Sequence, residues 1–292
     1  MLQRLSPTGP DDQAVNNLRP QEFEKITRPP KVTEFQRQKL DKDSKKNWDL
    51  FYKRNGDRFF RNRYWTKHEF TELFRPPTNQ HPNEVIYLLE IGCGCGDFIL
   101  PLLENAVQPQ QNSNTRIPDN LFIYCCDISD QAINLLRANP LYLRNPKRIS
   151  AFTADISKSM DLRSRCDDNY MDFISLIFLL SAIDPRNMSN AISNINAVLK
   201  PGGLVLFRDY AIYDKAMLRF SEKSKICDNL YVRQDGTRAY FFTESKLIDL
   251  FQKCNFIVES IEQIHRETVN NSTGDRFSRI FLQAKFRKPS NI

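Results

Sequence analysis

The chain has 292 residues, 40% of them hydrophobic, with 42 basic and 35 acidic side chains, so it is long enough for one large core and has a net charge of +7. This mixed surface excludes a simple polycation, while its basic excess favours a polyanionic partner. Seven scattered cysteines and three histidines indicate neither a disulfide framework nor a metal site, and the chain lacks an 18-residue apolar run, so no membrane span is expected.

The first part of the chain has two different compositions. Residues 1–30 are polar and punctuated by prolines, which predicts a disordered tail, and they lack the apolar segment of a secretory signal. We therefore expect a soluble protein of the cytoplasm, with the nucleus as a second compartment. Residues 31–80 combine aromatic and basic side chains and predict amphipathic helices with a basic face. The prolines within 75–83 mark a linker into a main domain over 81–292.

Strands and helices alternate over the main domain, which is typical of parallel βαβ units. We predict strands at 85–91, 121–126, 149–153, 171–178, 203–208, 256–264 and 278–286, and helices at 97–106, 129–138, 186–199 and 243–253. The expected fold class is α/β, with a Rossmann-like, seven-stranded and mostly parallel sheet behind an N-terminal helical extension. Residues 108–120 form a polar insertion, and Asp235-Gly236 predicts a hairpin insertion near 229–242.

A glycine loop follows the first predicted strand. It contains Gly92, Gly94 and Gly96 at alternate positions, which allow a sharp turn and a close approach of the backbone to a ligand. Asp97 lies at the start of the next helix, where it would repel a diphosphate, so the loop is unsuited to a dinucleotide. Glu90 adds a second acid suited to an α-ammonium group. The pattern favours S-adenosylmethionine (SAM), although such a loop can also merely join a strand to a helix.

Two further acids end consecutive strands, where the ligands of doubly wound sheets bind. We expect Asp127 to accept the ribose hydroxyls of SAM, and Asp155 to accept from the adenine amino group while Ile156 covers the ring. The alternative for either aspartate is a helix N-cap, which the position at a strand end makes the weaker interpretation. After the fourth strand, Ile177 and Phe178 would face the cofactor and the substrate, although core packing explains both nearly as well.

Several motifs in order give a more specific indication. Besides the glycine loop they are Lys46-Asn-Trp-Asp-Leu-Phe-Tyr-Lys-Arg-Asn55, Phe59-Phe-Arg-Asn-Arg-Tyr-Trp65, Phe207-Arg-Asp-Tyr210, Tyr231-Val-Arg-Gln-Asp-Gly-Thr-Arg238 and Arg266-Glu-Thr-Val-Asn270. From about Val32 to Lys285 the chain resembles the methyltransferase-like tRNA 3-methylcytidine methyltransferases, and within them the branch associated with serine tRNAs and with seryl-tRNA synthetase. The resemblance implies the class I SAM-dependent methyltransferase fold. It also implies methylation of N3 of the first cytosine of the anticodon loop, position thirty-two.

The same resemblance implies a set of cofactor contacts. They fall on Trp48, Tyr52, Gly92, Asp127, Asp155, Ile156 and Ile177, to which the glycine-loop argument adds Glu90 and Gly94. Trp48 and Tyr52 are four apart on a predicted helix, so they share one face and are able to cover the cofactor as an aromatic lid. The alternative is an aromatic pair packed on the core. The extension over 31–80 would then serve both as this lid and in RNA binding.

The substrate side follows from the chemistry of cytosine N3, which has a free lone pair and becomes cationic on methylation. A carboxylate near the base would help, and we expect Asp209 in that role, beside Arg208 and Phe178. Asp209 is equally explained as a helix cap or as an ion-pair partner of Arg208. The predicted RNA-binding residues are Phe60, Arg61, Arg63, Tyr210, Arg233, Arg238 and Tyr240.

Two other functional classes remain open at this point. One is a methyltransferase for small molecules or proteins, which leaves the basic extension unexplained. The other is a SAM-fold RNA-binding adaptor subunit without activity. We expect the protein to act as a monomer or in a complex with the synthetase.

Overall fold

The computed structural model describes residues 19–74, 84–107, 117–158, 161–269, 274 and 276–290. The strands of this part are β1 Ile86–Ile91, β2 Leu121–Asp127, β3 Ile149–Thr153, β4 Met171–Ile177, β5 Leu199–Tyr210, β6 Lys225–Cys227, β7 Leu230–Val232, β8 Arg238–Tyr240, β9 Ile257–Val269 and β10 Arg276–Arg287. Its α-helices are α1 Pro20–Thr27, α2 Glu34–Lys42, α3 Ser44–Asn55, α4 Thr66–Glu69, α5 Ile99–Val107, α6 Asp130–Ala138, α7 Pro140–Arg144, α8 Pro185–Val198, α9 Lys215–Arg219 and α10 Glu244–Gln252.

Seven strands form one sheet in the order β3-β2-β1-β4-β5-β10-β9. The first five run parallel to their neighbours, and β10 is antiparallel to both β5 and β9. The predicted seven-stranded, mostly parallel and Rossmann-like sheet is therefore confirmed. Its strand order reverses between β1 and β4, and in open α/β sheets ligands bind outside the carboxyl ends of the strands at such a point.

The core has a layer on each face of the sheet, because neighbouring residues of a strand point to opposite faces. Leu88 of β1 belongs to an apolar cluster that includes Leu102 and Leu103 of α5. Leu89, the next residue, belongs to a second cluster that includes Ile192 and Ile195 of α8. Burial of each such side chain contributes about 1.5–3 kcal/mol, so the two layers fix the carboxyl ends of β1 and β4 firmly.

Two strands extend beyond their predicted ends. Strand β5 begins at Leu199 rather than 203, because Leu199 pairs with Met171 across a register shift that accommodates the Pro201-Gly202-Gly203 stretch. The β9–β10 pairing continues to Val269 and Arg276, whereas β10 pairs with β5 only as far as Phe281. The end of this hairpin therefore forms a two-stranded arm, residues 265–269 and 276–280, that projects past β5.

The predicted tail over 1–30 is wrong for the part that is described, since residues 20–27 form α1. Pro20 is at the first helical position, where a proline starts a helix rather than breaking it. The helix is anchored by Lys25, which donates to the Leu218 carbonyl at 2.8 Å. The rest of the predicted tail, 1–18, the predicted linker, 75–83, and most of the predicted insertion, 108–116, lie outside the described residues.

A buried carboxylate joins the N-terminal extension to the main domain. Asp184, which is 0% exposed, accepts hydrogen bonds from Arg37 of α2 at 2.7 and 2.8 Å and from Arg186 at 3.0 and 3.1 Å. Next to it, Arg238 of β8 pairs with Asp41 of α2 at 2.8 Å. Helix α2 is thus tied both to the start of α8 and to the hairpin insertion, in which β6, β7 and β8 form a small antiparallel sheet.

Candidate active site

The carboxyl ends of the central strands open into one cleft of about 2010 Å³. Among the predicted site residues, those that line it are Trp48, Tyr52, Phe60, Arg63, Gly92, Gly94, Asp127, Asp155, Ile156, Ile177, Phe178, Tyr210, Arg233 and Arg238. Glu90, Arg61, Arg208, Asp209 and Tyr240 are not part of its lining. The structure therefore brings most of the predicted cofactor residues together and separates several of the predicted substrate residues from them.

The glycine loop lies at the centre of the cleft. Gly94 has a φ of +53°, and a Cβ atom placed on it would lie 2.6 Å from the hydroxyl oxygen of Tyr52. Gly92 has a φ of +73°, and its Cβ would lie 2.6 Å from a methyl carbon of Leu179. Both the backbone conformation and the close approach of these neighbours require glycine.

Asp127 holds this loop in place. One carboxylate oxygen accepts from the Gly94 N–H and the other from the Ser129 N–H, each at 2.9 Å. Burial raises the pKa of Asp127 to about 6, although the hydrogen bonds from Ser129 and Gly94 act in the opposite direction. The cap of α6 is Ser129, whose hydroxyl accepts from the Ala132 N–H, so the alternative of Asp127 as a helix cap does not hold.

The other predicted cofactor acids differ in their surroundings. Asp155, after β3, accepts from the N–H and the hydroxyl of Ser157 at 3.0 and 2.6 Å and lies 3.3 Å from the ammonium of Lys158. Glu90 is buried, and one of its carboxylate oxygens has no hydrogen-bond partner among the described residues. Its burial raises the pKa of Glu90 well above the ordinary value, with Arg63 opposing the shift. A buried acceptor without a donor is costly, but Glu90 is not part of the cleft lining, so its contact with the cofactor stays a prediction.

Helix α3 covers the glycine loop. The rings of Trp48 and Tyr52 lie 6.0 Å apart, and both line the cleft. Between them in sequence, Asp49 accepts from the Ser129 hydroxyl at 2.7 Å and from the Gln131 N–H at 3.2 Å. Helix α3 is thereby bound to the start of α6. The two rings pack in an apolar cluster and also lie over the loop. The lid and the core-packing alternatives for this pair are therefore compatible.

Arg63 connects the extension to the end of β4. Its N–H donates to the Asp97 carbonyl at 2.7 Å, and its guanidinium donates to the Ile177 carbonyl at 3.0 Å. The guanidinium carbon lies 5.1 Å from the centre of the Phe178 ring, and that ring is 5.1 Å from the ring of Tyr210. Arg63, Phe178 and Tyr210 thus form a cationic and aromatic wall beside the glycine loop.

The expected placement of Asp209 and Arg208 at the reacting base is wrong. Asp209 is 0% exposed and accepts from the N–H groups of Ser181 and Tyr210 at 2.8 and 2.9 Å. Its burial raises the pKa of Asp209 to about 6. Arg208 is also buried, pairs with Glu69, and lies 4.0 Å from the centre of the Trp65 ring. Arg208 and Asp209 are neighbours in β5 and point to opposite faces of the sheet, both of which are covered, so both side chains are buried. Neither the helix-cap nor the mutual ion-pair alternative is observed.

Two of the predicted RNA contacts are also wrong for a physical reason. Arg238 is buried and its charge is paired with Asp41, while Tyr240 is buried against Phe242 at a ring distance of 4.7 Å. Neither is available to phosphates. Arg233 lines the cleft and donates to the Thr237 hydroxyl and the Arg238 carbonyl. Arg61 is exposed outside the cleft, whereas Phe60 is half-buried in its wall.

Several residues of the cleft were not predicted. Asp49, which positions α3 without lining the cleft, was also missed, although its place between Trp48 and Tyr52 on the predicted helix carried a signal. The far part of the cleft did not, because its residues come from α9 and from the projecting arm, whose proximity depends on the sheet order. These residues are Lys215, Ala216, Arg219, Phe220, Thr268, Phe277 and Arg279.

Two kinds of feature are absent from the described ranges. In that part of the chain, no helix combines the length and apolarity needed to cross a membrane. The same ranges contain no group of three or more histidine, cysteine or acidic side chains placed to hold a metal ion.

Comparison with known proteins gives relatives for nearly the whole chain. A family model described as a methyltransferase domain matches residues 52–261. The tRNA N(3)-cytidine methyltransferase METTL6 of Homo sapiens is 44% identical over 258 residues, which cover 88% of this chain and 85% of that protein. The tRNA N(3)-methylcytidine methyltransferases Mettl2 of Drosophila melanogaster and trm141 of Schizosaccharomyces pombe are 37% and 36% identical, over 89% and 88% of this chain and 76% and 98% of theirs.

Solved structures support the fold independently of close sequence similarity. A SAM-dependent methyltransferase from Anabaena variabilis superposes with a TM-score of 0.56 at 13% identity, covering 89% of this chain and 97% of the other. One from Methanosarcina mazei gives a TM-score of 0.50 at 19% identity, covering 71% and 94%. The class I SAM-dependent methyltransferase fold is therefore confirmed.

Proposed function

Since the chain belongs to the family of SAM-dependent tRNA N(3)-cytidine methyltransferases, we propose that it methylates N3 of the first cytosine in the anticodon loop of serine tRNAs. The observation that carries this proposal is the cleft, in which a glycine loop with acidic residues adjoins a cationic and aromatic wall. An adaptor without activity has no need of the first part, and a methyltransferase for small molecules has no need of the second.

The residues of the first part fit SAM. The unpartnered carboxylate oxygen of Glu90 suits the ammonium of an amino acid. Asp127 uses one site on each oxygen for a backbone N–H, and because a carboxylate has about four acceptor sites, it retains capacity for the ribose hydroxyls. Asp155 and Ile156 border the same cleft for the adenine, with Ile177 beside them. Bound SAM supplies a methyl group on a positively charged sulfur.

The residues of the second part position the base. Cytosine N3 lies on the Watson–Crick edge, so the base has to leave any stack and enter the cleft. Phe178 and Tyr210 offer ring faces, and Arg63 offers a guanidinium plane, for that base. Since the N3 lone pair needs no base to remove a proton, correct placement is the main contribution required of these side chains.

We propose a positioning role for Asp209 in place of the catalytic role expected from the sequence. Its two oxygens hold the N–H groups of Ser181 and Tyr210, which belong to the segment after β4 and to the end of β5. Both segments border the cleft. Asp209 therefore acts through Tyr210, without touching the substrate.

The experiment that tests this function is mass spectrometry of nucleosides from unmodified serine tRNA after incubation with SAM and the purified protein. We expect 3-methylcytidine to form, and to form faster when seryl-tRNA synthetase is added, because the partner would supply tRNA selection. A serine tRNA whose first anticodon-loop cytosine is replaced by uridine is the matched control and should yield none. Absence of product with and without the synthetase, despite SAM binding measured by calorimetry, would contradict the proposal.

The cytoplasmic location, with the nucleus as a second compartment, also remains a proposal. It is supported by the many reduced, mostly buried cysteines among the described residues. Fractionation of cells that express the tagged chain tests it.

A further inference from the structure

The cleft extends well beyond the residues used above, to a part bounded by α9 and the two-stranded arm. The arm is fixed there by Asp214, which is 0% exposed. One oxygen of Asp214 accepts from the Ala216 N–H at 2.7 Å, and the other accepts from the Ile280 N–H at 2.8 Å and from the Arg279 guanidinium at 2.9 Å. Because these bonds join the start of α9 to the arm, the two elements hold a fixed relation.

This fixed relation places an arginine over an aromatic ring. The guanidinium carbon of Arg219, at the end of α9, lies 3.8 Å from the centre of the Phe277 ring on the arm. Both residues line the cleft, and Arg219 is exposed. An exposed guanidinium over a ring leaves the arginine accessible from the other side, where a nucleobase is able to stack on it.

The charge of Arg219 distinguishes it from its cationic neighbours. Arg279 is paired with Asp214 at 2.9 Å, and Lys215 is paired with Glu22 at 3.3 Å. In the described part of the chain, no acid pairs with Arg219. This end of the cleft therefore has an uncompensated positive charge on a preformed stacking surface, which are the two features that proteins use for single-stranded nucleic acid.

Arg279, which is two residues from Phe277 on β10 and so on the same face of the strand, connects this surface to the wall where the target base is expected. Phe178 lies 5.1 Å from Tyr210, and the guanidinium carbon of Arg279 lies 5.7 Å from the centre of the Tyr210 ring. An extruded base brings its neighbours along the backbone with it, so the next nucleotide of the loop has to follow the cleft outward from Phe178.

We propose that the Arg219–Phe277 pair is a second base-binding site, which stacks on a nucleotide adjacent to the methylated cytidine. The inference rests on the proposed tRNA substrate and adds a subsite to it. Its chemistry is base stacking on a guanidinium plane, so it depends on the shape of arginine as well as on its charge.

The test compares Arg219→Ala, Arg219→Lys and Phe277→Leu with the wild type, in tRNA binding and in the kcat/KM for 3-methylcytidine formation. We expect Arg219→Ala to weaken tRNA binding roughly ten-fold, as loss of one stacked base does. Arg219→Lys should also weaken tRNA binding, though less than Arg219→Ala, because an ammonium keeps the charge but lacks the plane. Phe277→Leu should be weakened as well, and the double variant should be no worse than Arg219→Ala, since the two side chains act as one unit.

Two controls make the result specific. Arg144→Ala removes an exposed arginine that does not line the cleft, and it should bind tRNA as the wild type does. The second control uses two tRNAs that lack one base next to the target cytidine, on the 5′ side in one tRNA and on the 3′ side in the other. With one of these two tRNAs, the wild type and Arg219→Ala should bind equally well.

The outcomes separate this inference from the proposed function. Wild-type protein that forms no 3-methylcytidine would count against the function itself. Wild-type activity together with an Arg219→Lys variant that binds tRNA normally would overturn the stacking site alone, and so would an unchanged difference with both abasic substrates. SAM affinity, measured for every variant, should stay at the wild-type value, and a parallel loss of SAM affinity would likewise overturn the site by showing a structural defect.

Discussion

The carboxylate of Asp49 in α3 accepts a hydrogen bond from the hydroxyl of Ser129, 2.7 Å away, at the start of α6. Ser129 follows Asp127 by two residues, and Asp127 holds the Gly94 N–H. Through these contacts, the helix that carries Trp48 and Tyr52 is fixed against the same turn that fixes the glycine loop. The position of the aromatic lid and the shape of the loop are therefore mechanically linked.

This link predicts that Asp49→Ala weakens SAM binding. The substitution removes the acceptor for both the Ser129 hydroxyl and the Gln131 N–H. Each of the two lost hydrogen bonds costs about 1 kcal/mol, and about 1.4 kcal/mol is a factor of ten, so we expect SAM affinity to fall roughly thirty-fold in calorimetry if α3 must be docked for binding. Asp43→Ala is the matched control, because Asp43 precedes α3 without a side-chain capping bond. Equal SAM affinities in the two variants would show that docking of α3 is irrelevant to the cofactor.

The contact between Gly94 and Tyr52 predicts a rescue. Gly94→Ala places a Cβ 2.6 Å from the Tyr52 hydroxyl oxygen, while the next Tyr52 atom is 3.5 Å away. We expect SAM binding to be lost in Gly94→Ala and partly recovered in the double variant with Tyr52→Phe, since the phenylalanine ring lacks only the clashing atom. The single variant Tyr52→Phe is the control. No recovery would mean that the backbone at φ +53° alone, rather than the contact, excludes alanine.

The network around Asp184 predicts a loss of stability in acid. Burial alone would raise the pKa of Asp184, but its hydrogen bonds with Arg37 and Arg186 outweigh this and lower it far below the ordinary value. A lowered carboxyl pKa stabilises the fold above the unfolded value of about 3.9, and the contribution is lost as pH falls below it.

Urea unfolding checks this directly. We expect Arg37→Met to cost about 3 kcal/mol at pH 7, as breaking a buried ion pair does, and the gap to the wild type should narrow between about pH 5 and pH 3. Arg163→Met is a suitable control, because the pair of Arg163 with Asp168 is on the surface. A gap that stays constant with pH would assign the effect to packing of the Arg37 side chain.

The raised pKa of Asp127 predicts a pH dependence of stability opposite to that of Asp184. It also predicts a separate effect of pH on cofactor binding. Burial raises the pKa of Asp127 to about 6, so the contribution of this group to folding is present below about pH 4 and is lost as pH rises towards 6. Protonation nevertheless removes an acceptor from the loop. We therefore expect SAM affinity to fall as pH drops through about 6 while the protein stays folded.

Calorimetric SAM titrations between pH 5 and 8 measure this dependence. Asp209 has a similarly raised pKa of about 6, so Asp209→Asn separates the two groups. The pH dependence should persist in Asp209→Asn. Its disappearance in that variant would identify Asp209 as the titrating group instead.

The sequence predicted the elements whose patterns are local. Strand β3 lies where the apolar run indicated, and Asp127 and Asp155 could be identified because each ends such a run before a turn. Arg208, Asp209 and Arg238 were misplaced for a different reason. An arginine or aspartate in a motif beside a strand end looks functional, yet whether it reaches the cleft or is buried depends on which elements cover each face of the strand. Their partners, Glu69 for Arg208 and Asp41 for Arg238, come from the extension, which only the tertiary fold brings near.

The distance in sequence between Arg37 and Asp184, 147 positions, has a consequence for the synthesis of the chain. Helix α2 leaves the ribosome long before Asp184 is synthesised. The extension therefore lacks the Arg37–Asp184 ion pair until more than half of the protein has been made. The converse applies to truncation from the N-terminus. A fragment that begins after Lys42 would contain every strand of the sheet. Its buried Asp184 would nevertheless have lost the ion pair with Arg37, so the fragment would fold with a carboxylate in its interior whose charge is less well compensated.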